Sequence, residues 1–292
     1  MRAVGSIVGR NLRLFFRDRM NVFFSLLGAI ILFVLYTLFL ARLQIDGLGE
    51  TFPDASEQQI RAFVDSWMFA GIVMLTTITT GLGALSSLVQ DGESGRFRDF
   101  LVSPVRPWQL VLGYLTAAVL VSILMSMLVV VLSILYLGIV DDFWLSPEAV
   151  ARIVGITVLC SIGFTALSAF VVSFIRTSAA FSGLATVIGT VLGFVAGAYI
   201  PVGSLPEAVS SGINALPFAE SAMLLRRQFT EGTLAPMVGE NTAAAEGVRE
   251  FYGIDALIGD YLVPAALAFG VLVTMALVFT LLSAARIRSR IR

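Results

Sequence analysis

Six long apolar runs, separated by short polar or charged segments, restrict this chain to one class of fold. A helix needs about 20 apolar residues to cross the hydrocarbon core of a bilayer. The chain is 58% hydrophobic and only 13% charged, which is far from the usage of soluble proteins. We therefore predict an all-α polytopic membrane protein, with residues 1–292 forming one membrane domain. The predicted spans are residues 22–41, 67–89, 108–137, 150–175, 179–200 and 262–285.

The residue types that do not occur exclude several functions. His and Lys are absent, and the one cysteine, Cys160, lies within an apolar run. A chain without His has no His-based catalytic triad, and one Cys cannot form an intrachain disulfide. An ATP-binding P-loop requires Lys. We expect no catalytic residue, metal site or cofactor in this chain, with ATP and Mg²⁺ bound by a separate subunit, and no nucleic-acid partner.

The arginines predict the orientation in the membrane. With six spans and both termini on the cytoplasmic side, 13 of the 19 basic residues face the cytoplasm. This distribution satisfies the positive-inside rule. It predicts a multi-pass protein of the cell membrane with both termini cytoplasmic and residues 202–260 external.

Residues 1–20 form an amphipathic pattern that is too basic for a cleavable signal peptide. Val4, Ile7, Val8, Leu12 and Phe15 recur at helical spacing, and arginines occupy the other side. We predict a helix that lies in the cytoplasmic headgroup layer in contact with lipid. The alternative is a basic flank that only sets the orientation.

Residues 91–106 are the most charged segment between two closely spaced apolar runs. Glu93 to Val102 is predicted to form a short helix, in which Phe97, Phe100 and Leu101 share one face. Ser103-Pro104 would end it. The pattern indicates a short amphipathic helix on the membrane face, and the alternative is an ordinary cytoplasmic loop.

Small and hydroxylated residues mark the second and fifth predicted spans. The second contains several Thr and Ser, whose hydroxyls bond their own helix, reach a neighbouring helix, or line a substrate path. The fifth has Gly189, Gly193 and Gly197 at four-residue spacing, which predicts close packing with another helix of this chain or a second copy.

Two extramembrane regions are predicted on the external side. Residues 42–66 form a polar loop with a short helix from Ser56. Residues 202–260 contain a semi-apolar stretch bounded by Pro206 and Pro217, then an amphipathic helix, Pro217 to Phe229.

The charged segment resembles the corresponding loop of type-2 ABC export permeases, the membrane subunits of one class of ATP-binding-cassette exporters. Asp91, Glu93, Gly95, Phe100-Leu101, Ser103-Pro104 and Gly113 occupy the positions of that loop. Asp91 stands where Glu is usual, and Arg96 where Thr is usual. The resemblance implies a coupling helix that docks into a cleft of the ATPase subunit. The docking residues would be Asp91, Glu93, Gly95, Arg96, Phe97, Arg98, Leu101, Ser103 and Pro104.

A second patch, residues 197–227, is similar to the same family. Its matching residues are Gly197, Tyr199, Pro201, Leu205-Pro206, Pro217 and Leu225-Arg226, and Glu220 departs from the usual pattern. The resemblance implies an external re-entrant helical hairpin, carrying Pro201, Pro206 and Pro217, that closes the external mouth before the last span.

The two patches together lead to a function. The resemblance implies an ATP-driven exporter in which two copies of this chain, or one copy and a homologous permease, pair with two cytoplasmic ABC ATPase subunits. It places the substrate path between the second and fifth spans, where we predict Met74, Thr77, Thr80, Phe194 and Tyr199 as lining residues. Within the predicted spans only Arg152 is charged, which favours a hydrophobic or amphipathic substrate such as a drug-like compound or lipid.

Two other classes of function remain as alternatives. A standalone channel or membrane scaffold would work without an ATPase partner. An intramembrane enzyme would need clustered ionisable groups at membrane depth, and the predicted spans contain no such cluster.

Overall fold

The computed structural model describes residues 2–97 and 105–291 of the chain, with side chains from residue 3 to 97 and from 105 to 287. Helices dominate both ranges. In chain order they are α1 (Arg2–Arg17), α2 (Arg19–Leu35), α3 (Ala41–Thr51), α4 (Glu57–Ala84), α5 (Ser86–Glu93), α6 (Pro107–Val140), α7 (Pro147–Val172), α8 (Ser178–Val195), α9 (Glu207–Asn214), α10 (Pro217–Phe229), α11 (Leu234–Val238), α12 (Thr242–Phe251) and α13 (Ala265–Ile291).

Six helical stretches are long and apolar enough to cross a bilayer, which confirms the predicted all-α polytopic fold. They are Arg19–Thr51, Glu57–Glu93, Pro107–Val140, Pro147–Val172, Ser178–Val195 and Ala265–Ile287. The strands of the described residues are two antiparallel two-residue segments, β1 (Leu257–Ile258) and β2 (Tyr261–Leu262), just before α13.

The first long helix extends beyond its predicted end at residue 41. α2 passes through a π-helical turn, Tyr36–Leu40, and continues as α3 to Thr51. The polar composition of residues 42–51 suggested a loop. These residues are instead helical because Leu40, Ala41, Ile45 and Leu48 pack against the core.

The second long helix begins ten residues before its predicted start at residue 67. Ser56 and Gln59 form a capping box: the Ser56 hydroxyl accepts from the Gln59 amide at 3.2 Å, and the Ser56 amide donates to the Gln59 side chain at 2.8 Å. The predicted short helix from Ser56 is therefore the first part of α4. At its other end the helix is interrupted at Leu85, and α5 continues to Glu93.

The remaining spans differ from prediction mainly at their ends. α6 and α7 begin at Pro107 and Pro147, where proline suits the first helical turn. α8 ends at Val195 rather than residue 200, and Gly197 adopts a left-handed backbone with φ +61°. α13 begins at Ala265, after the strands that occupy the predicted start of the last span.

α4 is the central element of the bundle and the most buried of the six spans. It packs against α2, α6, α7, α8 and α10. Gly81 permits close contact with α7, because a Cβ there would lie 2.3 Å from the Thr165 hydroxyl oxygen. The described core therefore surrounds α4.

Both chain ends lie at one end of the bundle, which we call the terminal end. Ile7 of α1, Leu88 of α5, Leu110 of α6 and Ile287 of α13 belong to one apolar cluster there. α1 contacts α6 closely, since a Cβ at Gly113 would lie 2.5 Å from the Ile7 side chain. We call the opposite end, which carries α9 to α12, the distal end.

Two buried carboxyl groups face each other at the distal end. Asp65 of α4 is 5% exposed, and Asp141, which follows α6, is 2% exposed. The two side chains interact directly, and among the described residues no N–H group donates to either carboxyl oxygen of Asp141. Burial raises the pKa of Asp141, and the charge of nearby Arg61 opposes this shift. Because two adjacent buried carboxylates repel, the pair is stable when they share one proton.

The Asp65→Asn variant is expected to make the chain more stable in alkaline solution. The folded chain binds the shared proton more tightly than the unfolded chain does. The contribution of this proton to the free energy of unfolding therefore falls as the pH rises above the ordinary pKa of aspartate. An Asn amide donates to Asp141 at every pH. We expect the melting temperature to rise by about 2–4 °C at pH 9 and to change little at pH 5.

The neighbouring exposed carboxyl gives a matched control. Asp142 also follows α6, has φ +54°, and is exposed, and Asn tolerates such a backbone conformation. Asp142→Asn should leave the melting temperature unchanged at both pH values. An equal shift in both variants would show that the effect is one of general surface charge.

Candidate functional site

The described part of the predicted docking segment, residues 91–97 and 105–106, lies at the terminal end, where α5 ends and α6 begins. α5 ends at Glu93, and Ser94 to Arg96 form a turn in which Gly95 has φ +74°. Glycine is favoured in this conformation just after a helix. A turn at residues 94–96 therefore interrupts the start of the predicted helix Glu93 to Val102; Phe97 is helical, and residues 98–102 lie outside the described residues. Arg98, Leu101, Ser103 and Pro104 lie outside the described residues.

Asp91 is the centre of a hydrogen-bonded cluster at the start of this segment. It is 2% exposed. Its carboxylate accepts from both terminal nitrogens of Arg10, at 2.7 and 3.1 Å, from Arg96 at 3.1 Å, and from the Tyr114 hydroxyl. A carboxylate suits this position because it accepts several hydrogen bonds and balances the arginine charge. The cluster joins α1, α5, the following turn and α6.

Charge and burial make Arg10 the principal partner of Asp91. The side chain of Arg10 is 31% exposed, whereas that of Arg96 is 58% exposed and its ion pair is more strongly screened. Hydrogen bonding to Asp91 raises the pKa of Arg10 despite the opposing effect of burial. Asp91 and Arg96, the two residues of this segment that depart from the family pattern, bond to each other.

Glu93 connects the segment to α8. Its carboxylate accepts from the Ser178 amide at 2.9 Å and from the Ser178 hydroxyl. Ser178 is the first residue of α8, so a negative charge stabilises the exposed amide groups and the positive end of the helix dipole. Glu93 thus holds the terminal end of α8 from a position 85 residues earlier in the chain.

Phe97 faces the bundle. Its ring makes an edge contact with Tyr114 at 6.2 Å between centroids, and its side chain is half-buried. Tyr114 also bonds Asp91. The described part of the segment is therefore attached to the membrane bundle through Asp91, Glu93 and Phe97, while Gly95 and Arg96 are exposed.

At the distal end, Arg226 of α10 is a buried cation with backbone partners. It is 1% exposed and donates to the carbonyls of Ala196, Gly197 and Gly253, at 2.9, 2.7 and 3.4 Å. Its guanidinium also lies 5.1 Å from the centroid of the Trp67 ring. Burial lowers its pKa to about 10, which leaves it cationic at neutral pH.

Comparison with protein families gives a match to the model described as "ABC-2 type transporter", which covers residues 2–227. The match covers more than half of the chain and includes the Asp91 cluster and Arg226. The chain belongs to the ABC-2 type transporter family. Comparison with curated proteins gives no match.

Family membership makes the chain a permease subunit of an ABC transporter. Permeases of this family generally work with an ABC ATPase subunit. The chain is a multi-pass membrane protein.

The helical hairpin of this permease consists of α9 and α10 at the distal end. Pro201 precedes a 3₁₀ turn, Val202–Ser204, Pro206 caps α9, and Pro217 is the first residue of α10. α10 packs against α4 and α7 and is largely buried. Each proline therefore lies at the start of a short helix or turn, and α10 has the bounds predicted for the amphipathic helix Pro217 to Phe229.

The predicted path residues fall into two groups. Met74, Thr77 and Thr80 are completely buried within one chain, and the two hydroxyls donate to carbonyls of their own helix. These three residues do not line an open path in this conformation, because α6 and α7 cover that part of α4. Phe194 is 52% exposed and its ring contacts the half-buried Tyr199.

The predicted glycine stripe is not one packing surface. A Cβ at Gly189 would meet no atom within 4 Å, whereas a Cβ at Gly193 would lie 1.9 Å from the Tyr199 ring. Gly197 lies beyond the end of α8 and packs against Val202 and Arg226. The early end of α8 separates Gly197 from the other two positions, and the chain folds back over Gly193.

Sequence reasoning missed three of the residues that organise these sites. Arg10 is one of several arginines on the predicted amphipathic helix, and Ser178 lies in the short polar segment between the fourth and fifth predicted spans. No pattern in the sequence marks Tyr114 as a functional residue. One feature of the sequence could have identified Arg10. Asn11 lies on the same face of α1 as Ile7 and Phe15, all three are buried, and Arg10 is next to Asn11.

Proposed function

We propose that this permease exports hydrophobic or amphipathic compounds, such as drug-like molecules or lipids. In this proposal two copies of the chain pair with each other and with two ATPase subunits at the terminal end, which the arginine distribution predicts to be cytoplasmic. A pair with a homologous permease would work in the same way.

The main support for ATP-driven transport is the contact between the docking segment and α8. An ATPase that moves residues 91–106 acts directly on Glu93, and Glu93 bonds the first residue of α8. At the other end of α8, Arg226 bonds the carbonyls of Ala196 and Gly197. Because a helix moves largely as a rigid unit, displacement at the terminal end reaches the hairpin at the distal end. ATP-dependent contacts would then shift the population between two states of the path.

The apolar surface of α8 supports the choice of substrate. The helix contains no charged residue, and Val187, Val191 and Phe194 are 59%, 48% and 52% exposed. A second copy or an apolar substrate is a suitable partner for such a surface. Charged residues in the long helices, such as Arg61 and Asp65 of α4, lie near the distal end rather than along α8.

The coupling role of Glu93 can be tested with the Glu93→Arg variant. Arginine places a positive charge at the positive end of the α8 dipole and removes both hydrogen bonds to Ser178. We expect the permease to retain its fold and its ATPase partner, while its stimulation of ATP turnover falls by about fivefold or more. Co-purification and the ATP hydrolysis rate of the reconstituted complex measure these two effects.

Glu207→Arg is a matched control, because Glu207 is an exposed acid in the first turn of α9 at the distal end. It should leave stimulation unchanged. Normal stimulation in Glu93→Arg would contradict the coupling role. Accumulation of a hydrophobic dye by inverted vesicles should require ATP and the ATPase, and dye flux without either would favour the channel alternative.

A further inference from the structure

A large cleft opens at the distal end between α3 and α12. Its volume is about 980 Å³, at the upper end of the range for small-molecule sites. One wall is formed by α3 and the loop that follows it, and the other by α11, α12 and the turn between them. This cleft is separate from the predicted path residues, none of which lines it.

The cleft lies outside the hydrocarbon core. The helical stretch from Arg19 to Thr51 has 33 residues, about 50 Å at 1.5 Å per residue, whereas the core of a bilayer is about 30 Å thick. α3 is the last part of this stretch and contains charged residues, so it projects into water or the headgroup region. A dissolved molecule can therefore reach the cleft.

The floor of the cleft is apolar. Leu48, Met237 and Val248 are 7%, 3% and 7% exposed and belong to the main core. Two aromatic rings, Phe52 and Phe251, lie in its walls, and Phe251 is 39% exposed. This surface suits a hydrophobic ligand of drug-like size.

The charged lining is acidic. Among the described residues that form the cleft, those with charged side chains are Asp54 and Glu240, one on each wall, and both are exposed. A cation is attracted by these carboxylates and by the faces of aromatic rings, whereas an anion is repelled by both.

We infer that the distal cleft binds a hydrophobic organic cation, held by the apolar floor and aromatic walls and oriented by Asp54 and Glu240. It is a binding site additional to the transport path, and it does not depend on the ATPase. The inference holds whether the permease exports such compounds or other substrates.

The charge preference is tested with two probes of nearly equal size and shape, tetraphenylphosphonium and tetraphenylborate. Calorimetric titration of the full-length permease in neutral detergent should show saturable binding of the cation. We expect binding at least about tenfold tighter than that of the anion. Equal binding of the two probes would overturn the inference, because it would indicate non-selective partition into apolar surface.

The location is tested by filling the cleft. Gly247 lines it, is exposed, and a Cβ there would meet no atom within 4 Å. Gly247→Trp should therefore fold normally and reduce cation binding by about tenfold or more. Gly212 of α9 is also exposed with open space around its Cβ, but it lies outside the cleft. Gly212→Trp should bind the cation as the unmodified permease does.

The role of the two acids is tested by the double variant Asp54→Asn, Glu240→Gln. The cation affinity should fall by about fivefold to tenfold, and the affinity for tetraphenylborate should not fall. Unaltered cation binding in Gly247→Trp, or an equal loss of binding in Gly212→Trp, would overturn the assignment to this cleft.

Discussion

The Asp91→Asn variant is expected to unfold at a temperature about 4–10 °C lower and to lose most of its stimulation of the ATPase. Asp91 is almost fully buried and accepts four hydrogen bonds from Arg10, Arg96 and Tyr114. Asn has one acceptor oxygen, and its amide group would face a cation. Losing the charge should lower the free energy of unfolding by about 1.5–3 kcal/mol. Thermal unfolding and ATP turnover of the reconstituted complex measure the two effects.

Asp18→Asn is the matched control for this variant. Asp18 is exposed at the terminal end and caps α2 by accepting from the Asn21 amide at 3.1 Å. Asn is an equally good cap, so stability and ATPase stimulation should not change. A double-mutant cycle with Arg10→Met should show strong coupling to Asp91. Additive losses would show that the Arg10–Asp91 contact does not stabilise the permease.

The Arg226→Leu variant is expected to lose about 3–5 kcal/mol of unfolding free energy, the largest effect on stability predicted here. It leaves the buried carbonyls of Ala196, Gly197 and Gly253 without this donor and removes the cation from the Trp67 ring. The melting temperature should fall by about 6 °C or more. Trp67 provides the local signal, because its fluorescence should shift as the hairpin separates from α4.

Arg226→Lys and Arg152→Leu separate charge, shape and surface effects. Lys keeps the charge but not the planar fork that reaches several carbonyls, so an intermediate loss is expected. Arg152 forms an ion pair with Glu231 in which both side chains are about half exposed, and Arg152→Leu should be nearly neutral. Equal losses in Arg226→Leu and Arg152→Leu would contradict a special role for the buried arginine.

The number of membrane-spanning helices was predictable, because the length of each apolar run can be compared directly with the thickness of a bilayer. The capping box at Ser56 is also a local signal, although its helix continues into the second span. The family pattern identified the docking segment and the hairpin, including Arg226. The hydrogen bonds and ion pairs that hold these two regions in place could not be predicted, because they join residues that are far apart in the sequence.

The Arg10–Asp91 and Glu93–Ser178 contacts show this limit clearly. Their partners are 81 and 85 residues apart, and helical periodicity carries no information about such pairs. Each residue taken alone resembles an ordinary basic flank, loop acid or turn serine. For Thr77 and Thr80, the sequence correctly offered bonding to their own helix as an alternative, and burial decided between the interpretations.

The π-helical turn at Tyr36–Leu40 changes which side of the first long helix faces the protein. Up to this turn the buried residues Ser25, Ala29, Leu32 and Tyr36 follow regular α-helical spacing. Continued spacing would bury position 43 or 47, but Leu43 is 59% exposed and Leu48 is buried. One additional residue in the turn rotates the side chains that follow it by about 100° around the helix axis. The additional residue in the turn thus lets one continuous helix present lipid-compatible side chains along α2 and direct Leu48 into the floor of the distal cleft.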